Sequence, residues 1–330
     1  MIQRDPSIDV LRFIGLSLLI LAHVDCPDTL RQIRLFDVPL MVFISGLSYS
    51  GRTIDSIGHF YKTRLKRLLI PVWTFIPIYL LPHAILQYFG LLDSGFSWNT
   101  FFCSFIFYGG MGYIWIYKVF IIVMFATPLL IKIDRIIKND YLYFLVIIIV
   151  LVLQQVLCYL FVHNGEFPGK NIIETYGLYI LGYLPMFMLG LRVKKGSQKA
   201  EIIMIILMSL VLVISVFIYY SNKNTDSLDL TIYKYPPQFY YIVYGCFMSL
   251  ILWSFRKQLV RLFNNRAVMY IGKNTDWIYL WHAFFVLYIT HFIKQWFLQY
   301  VIIYSIAIVL CCLQKSLTQR SRCDFIRKYF

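Results

Sequence analysis

Long apolar runs alternate with short polar stretches from one end of this chain to the other. Ten runs stand out, at 8–24, 36–51, 68–90, 113–131, 142–162, 175–191, 201–221, 237–255, 276–293 and 296–314. A helix of about 20 apolar residues spans the hydrocarbon core of a bilayer. The runs are continuous, as in "YFLVIIIVLVLQQVLCYLF", whereas membrane β-strands alternate apolar and polar residues. The pattern predicts an all-α integral membrane protein, a polytopic bundle of about ten transmembrane helices. The shorter run "FFCSFIFY" at 101–108 is too short to cross and is expected to be re-entrant or interfacial.

Composition agrees: 60% of the 330 residues are hydrophobic and only 14% are charged, against about 25% charged in soluble domains. The formal net charge of +15 would suit a nucleic-acid binder, but its distribution argues otherwise. Twenty-three of the 31 Lys and Arg lie before the first run, in every second loop after it, and in the tail. The alternate loops hold six. The positive-inside rule then puts both termini in the cytoplasm. The basic excess is mostly topological, the remainder being suited to anionic lipid or an anionic cofactor, and no nucleic-acid partner is expected.

The seven Cys residues show no CxxC or Cys/His spacing and read as small packing residues, with no metal site. The first run has internal charges and no small-residue cleavage pattern after it, so a retained helix is expected rather than a signal peptide. No linker divides the chain. Residues 1–314 read as one membrane-embedded domain and 315–330 as a short basic tail. The segment 92–112, with Gly109, Gly110 and Gly112, is a candidate lid or re-entrant hairpin.

The first run, "IDVLRFIGLSLLILAHV", carries Asp9, Arg12 and His23. A charge at the bilayer centre costs about 2.5–3.5 kcal/mol on insertion scales. Arg12 and His23 are eleven positions apart, which is about 20° beyond three helical turns and about 16 Å of rise. Asp9 precedes Arg12 by three positions and shares its surface. The three fall on one stripe, which should face the bundle interior or a wet cavity. The plainer alternative is an interfacial Asp9–Arg12 pair with His23 capping the helix.

In "FDVPLMVFISGLSYS", Pro39 and Ser45-Gly46 either break the second helix beside a cavity or serve close packing. In "HFYKTRLKRLLIP", Arg64 and Arg67 share a helix face. Paired guanidiniums suit phosphates, although positive-inside charge alone would also account for them.

These stretches together resemble the acyltransferase-3 family of integral membrane acyltransferases, which O-acylate bacterial surface polysaccharides and other acceptors. "IDVLRFIGLSLLILAH" is similar to the family's start, in which ten residues stand between an Arg and a His. "VPLMVFISGL" looks like its apolar segment ending in Ser-Gly, and "RLKRLLIP" like its RxxR motif followed by Pro. "YIWIYKVFIIVMFATPLL" resembles its Trp-containing fourth helix, and "IGKNTDWIYLWH" a stretch near its end. Two positions depart from the pattern: Tyr113-Ile114 stands before Trp115 where His is frequent, and Met41 replaces a common aromatic. The chain looks like the stand-alone type.

The resemblance implies an O-acyltransferase of the bacterial plasma membrane. Its donor would be cytoplasmic acetyl-CoA or another acyl-CoA, and its acceptor a glycan or lipid-linked sugar. His23 would be the general base, since a free imidazole titrates near neutrality, with Asp9 as its catalytic companion. Arg12, Arg64 and Arg67 would bind the donor's phosphates, with Ser45 as a further polar donor or a helix break. Trp115, Lys118, Tyr279 and His282 are acceptor-side or auxiliary candidates. Trp98 and Tyr113 are candidates for stacking on sugar rings. His83, His163 and His291 are expected at outer, interfacial helix ends. The competing reading is a transporter or flippase of a lipid-linked sugar; it should show paired broken helices in two halves, and only the second run hints at one. A membrane scaffold without chemistry would leave the charged stripe unexplained.

Overall fold

The computed structural model describes residues 5–91, 96–163, 170–221 and 229–330. The side chains of 162, 163, 175 and 219 lie outside that description, so the expectation for His163 does too. Every described element is helical. In chain order they are α1 (Pro6–Leu21), α2 (Asp28–Ile33), α3 (Asp37–Tyr49), α4 (Ile57–Tyr88), α5 (Trp98–Phe105), α6 (Trp115–Ile136) and α7 (Asp140–His163). The short α8 (Lys170–Ile172) leads through a π-helical turn, Ile173–Gly177, into α9 (Leu178–Val193). Then follow α10 (Gln198–Ser221), α11 (Phe239–Ser254), α12 (Arg256–Phe263), α13 (Arg266–Lys273), α14 (Thr275–Phe292), α15 (Trp296–Gln319) and α16 (Asp324–Tyr329).

Each of the ten apolar runs becomes a helix, but not ten equal spans. Five described segments are long and apolar enough to cross a membrane: Ile57–Tyr88, Gly112–Ile136, Asp140–Phe161, Gln198–Ile218 and Trp296–Gln319. The pair α11 and α12, bent by 66°, makes a sixth if taken as one span. The helices α1, α3, α9 and α11 have 16, 13, 16 and 16 residues. At 1.5 Å per residue they reach about 20–24 Å, short of a core of about 30 Å. The 18 residues of α14 include Asp276, His282 and His291, which dilute its apolar character.

The backbone divides into two compact units of discontinuous segments. The first comprises Met1–Leu18, Asp28–Asp55 and Ile122–Gly272. Its centre is the packing of α3 on α9, extended by α7 and α11. The helix α3 runs unbroken through Ser45-Gly46, and Pro39 sits in its first turn, where no intrahelical N–H is needed. The cavity-break alternative is therefore corrected in favour of close packing: a β-carbon on Gly46 would lie 2.2 Å from the Phe187 carbonyl oxygen.

The second unit comprises Leu19–Pro27, Ser56–Ile121 and Lys273–Phe330. Here α14 packs on α15 and on α4, and α16 packs on α15 and α4. Ser56 caps α4 by accepting from the His59 N–H at 3.3 Å. The run at 101–108 forms most of α5 and the turn after it. Ser97 caps α5, accepting from Thr100 N–H at 3.0 Å. The Ser104 hydroxyl donates to Thr100 O at 2.6 Å and accepts from Met111 N–H at 2.8 Å, which folds the chain back toward α6. Gly110 lies so close that a β-carbon would stand 2.5 Å from the Ser104 backbone.

Candidate functional site

The second unit gathers two histidines and two tyrosines from three distant parts of the sequence. The helix α1 ends at Leu21. Ala22 and His23 then donate to the Leu19 and Ile20 carbonyls at 3.2 and 3.0 Å, a tighter winding than the α-helix. The stripe expected over Asp9, Arg12 and His23 is thus corrected: His23 lies beyond the helix, and its direction follows a turn rather than the 3.6-residue period.

That turn is tied to α15. Gln299, fully buried, accepts from Asp25 N–H at 2.9 Å and donates to the Asp25 carboxylate at 2.7 Å and the Ile293 carbonyl at 2.8 Å. The sequence reading missed Gln299, although an amide in the last apolar run is a visible signal.

The His23 ring lies 5.0 Å from the rings of both His282 and Tyr113 and 6.4 Å from Tyr279. Nδ1 of His23 stands 2.8 Å from the Leu19 carbonyl oxygen and 3.2 Å from Nε2 of His282. His282 is fully buried, and its Nδ1 is hydrogen-bonded to the Tyr279 carbonyl. The Tyr279 hydroxyl donates to the Tyr113 carbonyl at 2.6 Å, holding the 3₁₀ turn Gly112–Ile114 against α14. His282 and Tyr279 are three residues apart on α14, and the helical period puts both on the His23 side.

Beyond Tyr113 the aromatic contacts continue. Tyr79 lies 6.1 Å from Tyr113 and stacks at 4.3 Å on His83. His83 is 1% exposed, so its expected interfacial position is corrected; it is sheltered by Tyr79, Phe284 and Tyr288. His291 is exposed in the last turn of α14. Lys118 is buried and Trp115 half-buried, both in the first turns of α6. Arg64 and Arg67 lie on α4, half-buried and exposed respectively. Their spacing of three puts both guanidiniums on one side of that helix.

In the first unit, Asp9 is buried and pairs with Arg12 at 3.5 Å. Arg12 also donates to the Ser48 hydroxyl at 3.0 Å, and Ser48 donates to the Ile44 carbonyl at 2.9 Å. Ser48 was not singled out in the sequence. Ser45, which was, turns its hydroxyl to the Met41 carbonyl of its own helix at 3.1 Å. A second buried pair joins Arg34 to Asp37 at 2.7 Å; its three-residue spacing was the only sequence signal.

The arrangement in the second unit brings imidazoles and phenols together in a sheltered site, residue types that serve as proton carriers in general acid–base chemistry. A family model described as "Acyltransferase domain", of the acyltransferase-3 type, matches residues 5–314 of the chain. No curated protein and no solved structure matches it significantly.

Proposed function

The chain belongs to the acyltransferase-3 family, and from that premise we propose that this membrane acyltransferase is an O-acyltransferase. It moves the acyl group of an acyl-CoA, with acetyl-CoA the first choice, to a hydroxyl of a cell-surface or lipid-linked glycan. In this reading the protein sits in the plasma membrane with both termini cytoplasmic, and the basic first half of α4 meets the donor.

The observation that carries the proposal is the contact of His23 with His282, Tyr113 and Tyr279 among apolar helices. Ionisable groups are rare at such places unless they serve function. His23 takes the proton of the acceptor hydroxyl as the oxygen attacks the thioester carbon. The tetrahedral intermediate collapses, the C–S bond breaks, and the thiolate receives the proton from His23. Arg64 and Arg67 provide paired guanidiniums for the donor's phosphates, with Arg12 as a third cation held by Asp9 and Ser48. Trp115 and Lys118 are assigned to the acceptor side.

The test is acyl transfer in vesicles holding the purified protein, radiolabelled acetyl-CoA and an extracted envelope glycan. The wild type should label the glycan, and His23→Ala, with helicity retained, should lose about 10²–10⁴ of the rate. Equal rates for the two would overturn the base assignment. Absence of transfer from acetyl-, succinyl- and longer acyl-CoA, with sugar movement across the vesicle instead, would replace the reading by a transporter.

A further inference from the structure

A carbonyl oxygen accepts hydrogen bonds and cannot donate them, and this fixes the protons on both imidazoles. Nδ1 of His282 contacts the Tyr279 carbonyl, so Nδ1 carries the N–H. A neutral imidazole has one N–H, which leaves Nε2 of His282 with its lone pair. That lone pair lies 3.2 Å from Nδ1 of His23, and the same Nδ1 lies 2.8 Å from the Leu19 carbonyl oxygen. Both neighbours are acceptors. Nδ1 of His23 is the shared donor of a three-centre hydrogen bond, and Nε2 is its basic nitrogen.

We propose that His282 is the positioning residue of His23: its Nε2 holds the His23 proton on Nδ1, fixes the ring so that Nε2 takes the proton of the attacking hydroxyl, and stabilises the imidazolium that follows. The proposal deepens the acyl-transfer reading and rests on it for the identity of the proton. The proton balance closes within the pair. The hydroxyl proton moves to Nε2 of His23 while the oxygen lone pair forms the C–O bond. The charge is shared through Nδ1–H with Nε2 of His282. The departing thiolate then removes the proton from Nε2. His282 cannot pass it further, because its own Nδ1–H is bound to the Tyr279 carbonyl. The pair therefore holds one added proton, the task that a carboxylate performs behind histidine in hydrolytic triads. Tyr113 and Tyr279 also lie against His23; a phenol offers no comparable acceptor at neutral pH.

The test compares the full-length wild type with His282→Gln and His282→Leu. Ring-nitrogen spectra of ¹⁵N-histidine-labelled protein are read first, with His23→Ala assigning the signals. The wild type should show N–H at Nδ1 and a lone pair at Nε2 of His23. In the acyl-transfer assay His282→Leu should lose about ten- to a hundredfold in kcat, the worth of one hydrogen bond to a charged group. KM for acetyl-CoA should hold, and the acid limb of the pH–rate profile should move to lower pH, because the imidazolium has lost an acceptor. His282→Gln, whose amide oxygen accepts at a similar reach, should recover most of the rate and the limb.

A lone pair on Nδ1 of His23 in the wild type would overturn the proposal. So would a fall in kcat with the limb unmoved and with His282→Gln no better than His282→Leu, the signature of packing alone. Should the wild type transfer no acyl group, the acyl-transfer reading fails by itself, while the nitrogen spectra still decide the pairing.

Discussion

Gly46 and Gly190 bring α3 and α9 together backbone to backbone: a β-carbon on Gly190 would stand 2.1 Å from the Phe43 carbonyl oxygen, and one on Gly46 2.2 Å from that of Phe187. Small residues allow such approach in membrane helices, where packing and hydrogen bonds rather than the hydrophobic effect hold helices together. Alanine at either position must push the helices apart, at about 1–3 kcal/mol or more. Gly46→Ala and Gly190→Ala should lower the Tm in detergent. Gly58→Ala should not, since nothing lies within 4 Å of a β-carbon there.

Asp37 is fully buried and pairs with Arg34; it also accepts from its neighbour's backbone, Val38 N–H, at 2.7 Å. Asp37→Asn strands a buried guanidinium and should cost about 3–5 kcal/mol. Lys234 adds a pH dependence. Burial pushes its ammonium pKa down, Asp37 pushes it back up and Arg34 lowers it. A lowered folded-state pKa means that the charged lysine opposes folding below that value, and that the opposition fades as pH rises through it. Without Asp37 the opposition grows. The stability loss of Asp37→Asn, followed by thermal melts, should therefore shrink toward alkaline pH.

Gln299 anchors the turn that carries His23. Gln299→Leu removes the partners of the Asp25 N–H and carboxylate and of the Ile293 carbonyl. Asp25 is exposed and Ile293 half-buried, so water takes over part of what is lost and each bond is worth about 0.5–1.5 kcal/mol. Tm should fall, and the rate of acyl transfer should fall as His23 loses its fixed position, with acetyl-CoA binding unchanged in equilibrium dialysis. An unchanged rate at a lowered Tm would show that the anchor is purely structural.

Arg64 and Arg67 should act on the donor rather than on the chemistry. Arg64→Gln and Arg67→Gln are expected to raise KM for acetyl-CoA about tenfold or more, the value of one charge-assisted hydrogen bond, and to leave kcat nearly unchanged. Arg64→Lys keeps charge but loses the fork and should fall between. Steady-state kinetics over acetyl-CoA concentration separates these outcomes. A fall in kcat at constant KM would move the arginines from binding to catalysis.

Much of the helical order was legible in the sequence because it is local. Hydrophobic runs and the placement of Arg64 beside Arg67 depend on neighbours within a turn or two. The Arg12–Asp9 pair, three positions apart, is of the same kind. Local reading failed where a period was carried past its element: the helical stripe drawn to His23 ran beyond Leu21, where the chain tightens into a turn. It failed again at His83, whose place near the far end of α4 suggested an interface, while Tyr79, Phe284 and Tyr288 enclose it.

By itself the sequence determined an all-helical chain of apolar segments, their order, the family and the residue types available for chemistry, since each depends on composition, period and short spacing. Only the tertiary structure decided which of those residues meet. His23 and His282 are 259 positions apart, and Asp25 and Gln299 are 274 apart. No period links such pairs. They meet because helix packing and the hydrogen-bonding needs of buried polar groups admit few arrangements, and an imidazole's proton is assigned only once its neighbours are known to be acceptors.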